Sequence, residues 1–123
     1  MTEQLGESFV RGIAERDAAT LLALLRDDID FKAMTPRKFW EETSPAGIVD
    51  KVILGTWFEE SDRIVGIDAI EHDQVADRRR VGYRFHVTND DGDFTVEQQA
   101  YYDVNDGRIG WMRIMCAGYQ PRT

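Results

Sequence analysis

The residues with the clearest chemical capability lie in the last third of the chain, in segments that read as β-strands. Tyr83 and Gln98 stand among apolar residues, whereas Arg84, His86 and Glu97 occupy adjacent positions. A phenol can donate a hydrogen bond to a developing oxyanion. A histidine, a carboxylate and a guanidinium can supply a base, an acid and an anion clamp. Because neighbouring strand residues point to opposite sides of a sheet, only one of these sets can line a given side.

Two polar stretches nearby lack the spacing of a binding site. The arginines at 78–80 follow Asp77 in an acidic chain, which favours a solvated strand entry over a phosphate site. Residues 89–93 resemble a calcium loop, but Val87 occupies the first acidic position that such a loop requires, and Gln98 the last. We therefore expect neither a phosphate site nor a calcium site here.

No metal site or cofactor is expected elsewhere. Glu71, His72 and Asp73 are consecutive, so as strand residues they point in opposite directions and cannot converge on an ion. The single cysteine, Cys116, excludes an intramolecular disulfide framework and a multi-cysteine zinc site. The sequence contains no P-loop, dinucleotide fingerprint or nucleophile elbow.

Length and charge narrow the class of protein. The chain has 123 residues and is expected to form one domain over residues 1–123. Its net charge of −8 disfavours nucleic acid and anionic membranes as partners. The longest apolar run, residues 21–25, is far shorter than the ~20 residues of a membrane span. No basic region followed by an apolar stretch opens the chain, so we expect a soluble cytoplasmic protein.

The first half of the chain reads mainly as helix. Leu5, Phe9 and Ile13 recur every four residues, and Asp17 is a suitable N-cap for a second helix that carries the leucines of residues 21–25. Apolar and polar residues then alternate over residues 29–33, which predicts a short strand. Thr35-Pro36 and Ser44-Pro45 each predict a helix start. The second of these opens a helix whose apolar residues are listed here: Ile48, Val49, Val52, Ile53 and Trp57.

The second half reads as four strands, over residues 63–71, 79–88, 94–104 and 108–119. The two turns before the last strands contain Asp-Gly, which tolerates the positive φ of tight hairpins. Helices followed by an antiparallel sheet predict an α+β fold. The turns also set the register, which separates an apolar inner face from a polar outer face. The inner face comprises Val81, Tyr83, Phe85, Val87, Val96, Gln98, Ala100, Tyr102 and Val104. The outer face comprises Arg80, Arg84, His86, Glu97, Gln99, Tyr101 and Asp103.

The last strand fits this division only if it is interrupted. Without an extra residue, Arg113 would be buried on the inner face, at a cost of several kcal/mol for an unpaired guanidinium. A bulge at Gly110-Trp111 moves Arg113 outward and brings Met112, Ile114 and Cys116 to the inner face. We expect Gly110 to adopt the left-handed conformation that such a bulge can require.

The order of these elements resembles the nuclear-transport-factor-2-like superfamily, which includes SnoaL-like polyketide cyclases and ketosteroid isomerase. Weak local patterns add to the resemblance: Glu15-Arg16-Asp17-Ala18, Asp28-Ile29-Asp30-Phe31, and Asp106-Gly107-Arg108-Ile109 at the turn into the last strand. The resemblance implies a cone in which a strongly curved, mainly antiparallel sheet wraps around the helices and leaves an internal cavity. It also implies a homodimer through the outer face. It implies no particular reaction, because members differ in chemistry.

The catalytic residues of well-known members are missing. The two carboxyl groups of ketosteroid isomerase correspond to positions near Thr35 and Ala100, and the acid of limonene epoxide hydrolase to Ile114. Scytalone dehydratase works with a histidine pair in the cavity, whereas His86 falls on the outer face here. Asp30 would point inward only if the first strand were reversed. The sequence thus leaves open whether the protein is an enzyme.

The leading interpretation is a cavity that binds a mostly apolar small organic molecule. Its expected lining is Trp57, Phe58, Tyr83, Phe85, Gln98, Tyr102, Met112, Ile114 and Cys116. One alternative is a cofactor-independent isomerase, cyclase, dehydratase or hydrolase, for which Tyr83, His86, Glu97 and Asp30 are the weak catalytic candidates. Another is a non-catalytic dimeric interaction module whose interior is filled by its own side chains, with Tyr83 hydrogen-bonded to Gln98.

Overall fold

Three helices pack on a six-stranded sheet in the computed structural model, which describes residues 2–122 and side chains from Leu5 onward. The helices are α1 (Thr2–Ala14), α2 (Ala18–Leu24) and a third helix (Gly47–Trp57). The strands are β1 (Leu25–Thr35), β2 (Lys38–Glu42), β3 (Arg63–Val75), β4 (Arg78–Asn89), β5 (Gly92–Asn105) and β6 (Arg108–Pro121). Their order in the sheet is β2-β1-β6-β5-β4-β3, and only β1 and β6 run parallel. The α+β class and the curved, mainly antiparallel sheet are as predicted.

The first two helices form where the sequence predicts them. Phe9 and Ile13 are fully buried on the face of α1 that meets the sheet. A carboxylate oxygen of Asp17 accepts a hydrogen bond from the backbone N–H of Thr20 at 3.1 Å, which confirms the N-cap of α2. The second helix is shorter than expected, because Leu25 already begins β1 and pairs with Ile109 of β6.

Of the two Pro-containing segments predicted to start a helix, only the second does so. Thr35-Pro36 does not start a helix: it lies in a hairpin turn between β1 and β2, where Arg37 has a φ of 70°. The Thr35 hydroxyl accepts a hydrogen bond from the Trp40 indole across that hairpin at 2.8 Å. The Ser44 signal is confirmed, since its hydroxyl oxygen caps the backbone N–H of Gly47 at 3.1 Å.

The third helix is a π-helix, with hydrogen bonds that run from one residue to the fifth before it. The backbone N–H of Phe58, for example, donates to the carbonyl of Ile53 at 2.8 Å. The predicted apolar residues of this helix are all buried: Ile48, Val49, Val52, Ile53 and Trp57. At Gly55 a Cβ would meet the carbonyl oxygen of Asp50, so this position favours glycine.

The predicted register of the last three strands is confirmed. Tyr83 pairs with Gln98 and Val104 with Ile109. The next pair joins Asp103 to Trp111, which leaves Gly110 as the extra residue of the predicted bulge. Gly110 does not have a positive φ, so the expected left-handed conformation is wrong. A Cβ there would lie 2.9 Å from the flexible side chains of Arg26 and Asn105, which can move to make room for it.

A second bulge in β6 was not expected from the sequence. Gln98 pairs with Cys116 and Val96 with Tyr119, so two residues of β6 lie opposite one residue of β5. Gly118 in this bulge has a φ of +84°, the left-handed conformation that glycine adopts at little cost. The shift brings the Tyr119 ring onto the inner face, 6.3 Å from the ring of Phe58.

Candidate functional site

The inner face gathers the side chains that the sequence assigns to a ligand site. Their shared property is burial, which is complete for Phe58, Phe85 and Met112 and nearly complete for Tyr83, Gln98, Tyr102, Ile114 and Trp57. Cys116, across from Gln98, is partly buried. The sheet therefore brings together residues from β4, β5 and β6 with the end of the third helix.

Aromatic rings make up much of this inner face. The Tyr83 ring lies 5.2 Å from that of Phe85 and 6.4 Å from that of Phe9 on α1. Phe58 meets Phe85 edge to face at 5.6 Å. Rings at these distances and angles interact favourably beyond the burial of their area. The helices are thus held against the sheet by aromatic contacts.

A buried hydrogen bond joins the two polar side chains at the centre of the inner face. The Tyr83 hydroxyl donates to the amide oxygen of Gln98 at 2.6 Å, which is the hydrogen bond predicted for an interior filled by the protein's own side chains. Burial raises the pKa of the Tyr83 phenol well above its usual value, and nearby Cys116 adds to the increase. The phenol consequently keeps its proton and acts as a hydrogen-bond donor rather than as a base.

Besides Nε of Arg79 near the start of β4, two buried N–H donors on this side of the sheet have no partner among the described residues. They are the amide nitrogen of Gln98 and the indole nitrogen of Trp57. Gln98 is 1% exposed and Trp57 is 8% exposed. A buried donor without an acceptor is costly, so native proteins leave few of them. Each unpartnered donor therefore marks a position where a polar ligand atom would be stabilised.

The alternative set of charged side chains, Arg84, His86 and Glu97, lies on the outer face, away from these groups. Arg84 and Glu97 form a cross-strand ion pair at 2.6 Å with both side chains substantially exposed. The His86 imidazole lies 3.4 Å from Asp93. Such solvent-screened pairs contribute little to stability. A shallow depression of about 170 Å³ opens beside Arg84 and Glu97, over Gly82.

Asp30 also lies on the outer side of the sheet. Its carboxylate is 3.2 Å from the Arg113 guanidinium, and this hydrogen bond is the main cause of the lowered pKa of Asp30. Ile29 and Phe31 on either side are buried. The first strand is therefore not reversed, and Asp30 does not face the helices.

Sequence reasoning missed a polar network at the end of the third helix. Asp62 is 9% exposed, and its carboxylate accepts a hydrogen bond from the Asn89 amide at 2.9 Å. Nearby, the Tyr119 hydroxyl donates to the carbonyl of Trp57 at 2.7 Å, and Arg16 donates to that of Phe58 at 2.6 Å. Burial raises the pKa of the Tyr119 phenol, with a further contribution from Asp62. These residues come from separate loops and strand ends, so no local sequence pattern indicates the network.

The described residues contain no group of three or more His, Cys, Asp or Glu placed to hold a metal ion. None of the helices over residues 2–122 is long and apolar enough to cross a membrane. Ala100 and Ile114 are buried on the helix side of the sheet, and neither side chain can ionise.

Comparison with known proteins gives structural matches only. No protein-family model and no curated protein matches the sequence. A proposed isomerase from Bacillus subtilis is similar, with a TM-score of 0.72 and 16% identity, over 94% of this chain and 87% of the other. A proposed polyketide cyclase from Xanthomonas campestris has a TM-score of 0.71 and 18% identity, over 92% and 87%. An LEH-like epoxide hydrolase from M. tuberculosis has a TM-score of 0.65 and 16% identity, over 92% and 80%.

These matches extend over nearly the whole chain. Together with the helix order, the parallel β1–β6 pairing and the curved, mainly antiparallel sheet, they define the class of structure. The chain has the cone fold of the nuclear-transport-factor-2-like superfamily, as its sequence predicts.

Proposed function

We propose that the protein binds a mostly apolar small organic molecule between its helices and the inner face of its sheet. The observation that carries the proposal is the pair of buried, unpartnered donors, on Gln98 and Trp57, within a surface that is otherwise mainly apolar and aromatic. Ligand pockets commonly combine an apolar wall with a few convergent polar groups. The hydrocarbon and aromatic side chains would supply affinity, and Tyr83, Gln98 and Tyr102 would orient the ligand.

A second candidate is catalysis without a cofactor: isomerisation, cyclisation, dehydration or hydrolysis. The descriptions of the structural neighbours favour it, as does one feature of this chain. Asp62 is the only buried carboxylate among the described residues, and its charge acts on the Tyr119 phenol. A carboxylate and a phenol can share general acid–base work when both reach the substrate. Asp62, rather than His86, Glu97 or Asp30, is therefore the residue to test for turnover.

A homodimer through the outer face completes the proposal. Met34 and Met115 are paired neighbours on β1 and β6 and are 49% and 55% exposed. Tyr101, on the same face of β5, is 42% exposed. Such a row of exposed apolar side chains is typical of an interaction surface. Met115→Lys is expected to convert a dimer into a monomer in light-scattering measurements, whereas Val75→Lys, at the far end of edge strand β3, leaves the mass unchanged.

The test of ligand binding combines a thermal-shift screen with a variant that fills the interior. A panel of apolar metabolites is screened against the wild type and against Ala100→Leu, since Ala100 is fully buried on the inner face. A ligand present at about 100 times its Kd adds ~2.7 kcal/mol of stability, which raises the melting temperature measurably. We expect Ala100→Leu to remove this shift while melting close to the wild type. Ala23→Leu, on the exposed side of α2, is the matched control and should keep the shift.

The same experiment can refute the proposal. If side chains of the protein already fill the interior, Ala100→Leu overpacks it and costs ~1–3 kcal/mol. A strongly destabilised Ala100→Leu together with no shift for any compound would identify a solid core and favour the interaction module. For the catalytic candidate, Asp62→Asn should abolish turnover of a bound compound and leave its Kd unchanged.

A further inference from the structure

The orientation of the Gln98 amide is set by its neighbour on β4. Tyr83 has one hydroxyl proton, and it donates that proton to the amide oxygen of Gln98. Because the phenol stays protonated, this oxygen is permanently engaged. The opposite end of the amide, with its two N–H groups, is the end that is buried without an acceptor.

The strand register shows what surrounds this donor within the sheet. Its cross-strand neighbours are Tyr83 on β4 and Cys116 on β6, and Val96 and Ala100 flank it on the same face of β5. Their side chains are a phenol already donating to Gln98, a thiol and two hydrocarbon groups. A thiol sulfur is only a weak acceptor. The sheet therefore offers the two N–H groups no good partner.

The charged side chains directly beside the Tyr83–Gln98 pair lie on the other side of the sheet, and those on the helix side, Arg79 and Glu7 with its partner His72, lie toward the start of β4. Arg84 and Glu97, which flank the Tyr83–Gln98 pair, are joined in an ion pair on the outer face. Arg113 also points outward, toward Asp30. An anionic ligand group beside Gln98 would thus lose its hydration without gaining a cation, which is strongly unfavourable. A neutral acceptor loses far less hydration and gains the unpartnered donors.

From this geometry we infer that the ligand is a neutral carbonyl compound, with its oxygen accepting a hydrogen bond from the side-chain amide of Gln98. The inference rests on the proposed function and adds the chemical class of the ligand. A hydrocarbon would fill the same space without satisfying the donor. A carboxylate would satisfy it at a large cost of desolvation.

The test uses matched pairs of compounds that differ only in the carbonyl: indane with 1-indanone, and tetralin with 1-tetralone. Kd is measured by calorimetry for the wild type, for Gln98→Leu, and for Gln99→Leu as control. Gln99 is the next residue on β5, but its side chain accepts from Arg80 on the outer face. We expect the wild type and the control to bind a ketone about tenfold more tightly than its hydrocarbon, and Gln98→Leu to lose this preference while keeping its affinity for the hydrocarbon.

Other results overturn the inference in distinguishable ways. Equal affinities of the wild type for ketone and hydrocarbon would refute it and leave the proposed function intact. Binding of indane-1-carboxylate as tight as that of 1-indanone would refute the preference for a neutral group. Failure of every compound to bind would refute the inference and the proposed function together. If Gln98→Leu does not fold, the infrared stretch of the ketone bound to the wild type decides: a shift to lower wavenumber than in hexane is expected, and no shift refutes the hydrogen bond.

Discussion

The buried hydrogen bond between Tyr83 and Gln98 allows a quantitative test of the structure. Removing only the hydroxyl, in Tyr83→Phe, leaves the amide oxygen of Gln98 buried without a donor. The cost of such an orphaned group is ~1–3 kcal/mol. Removing only the amide, in Gln98→Leu, orphans the phenol instead. Part of that cost is offset, because the amide nitrogen that already lacks a partner disappears as well.

The double variant removes the Tyr83 hydroxyl and the Gln98 amide together, so neither is left without a partner. In Tyr83→Phe with Gln98→Leu, each hydrogen-bonding side chain is replaced by an apolar side chain of similar shape to the original. Such a double replacement can leave the free energy of unfolding nearly unchanged. We therefore expect the double variant to be about 2 kcal/mol more stable than the sum of the two single changes predicts, within the usual range for residues in contact. The free energy of unfolding is measured by urea denaturation, followed by tryptophan fluorescence.

A control cycle uses Tyr101→Phe and Gln99→Leu, the equivalent residue types on the outer face of β5. No hydrogen bond joins these two side chains in the structure, so their effects should add to within about 0.5 kcal/mol. If the inner cycle is also additive, the buried hydrogen bond does not exist in solution. The amide nitrogen of Gln98 could then no longer be identified as the end of the amide that lacks a partner.

Three further predictions concern the two bulges and the outer face. Gly118→Ala should cost about 1–2 kcal/mol in urea denaturation because φ at Gly118 is positive, whereas Gly66→Ala, with open space at its Cβ, should stay within about 0.5 kcal/mol. Gly110→Val should destabilise the protein less than Gly118→Ala, because φ at Gly110 is not positive and the atoms that the new side chain would meet belong to flexible side chains. A larger loss of stability for Gly110→Val would indicate that Gly110 has a positive φ after all. Since Arg113 lowers the pKa of Asp30, this carboxylate stabilises the fold above the ordinary Asp value of about 3.9, and its contribution is lost as the pH falls through the lowered pKa. Asp30→Asn should thus make the free energy of unfolding depend less on pH at acid pH. Near neutral pH, the dependence on pH should be the same in the variant and the wild type.

The features predicted correctly from the sequence are those set by local chemistry. Asp-Gly turns fix the pairing of β4 with β5 and of β5 with β6, and the cost of burying Arg113 requires the bulge at Gly110. The features that were missed depend on distant contacts. The strand β2 follows a Thr-Pro pair that is equally suited to a helix start. Its Trp40 gains a hydrogen-bond partner only once the hairpin has formed.

In the candidate site, too, local patterns could be predicted and distant contacts could not. The inner and outer faces follow from alternation along each strand, so the burial of Tyr83 and Gln98 could be predicted. The role of Asp62 could not, because its partners come from the Glu59 backbone and the Asn89 side chain, which are joined only by folding. The second β6 bulge was missed because the residues around Gly118 are small or polar and fit either face.

The position of β1 in the sheet affects the order in which the chain can fold. Among the described residues its partners are the short β2 and β6, the last of the six strands, so Met34 gains its neighbour Met115 only after β6 has been made. During synthesis the edge of β1 that pairs with β6 therefore stays open until β6 has emerged from the ribosome. Long-range pairing of this kind slows folding and exposes intermediates to aggregation. A chain shortened before β6 would consequently lose the β1–β2 hairpin from the sheet as well as the last strand.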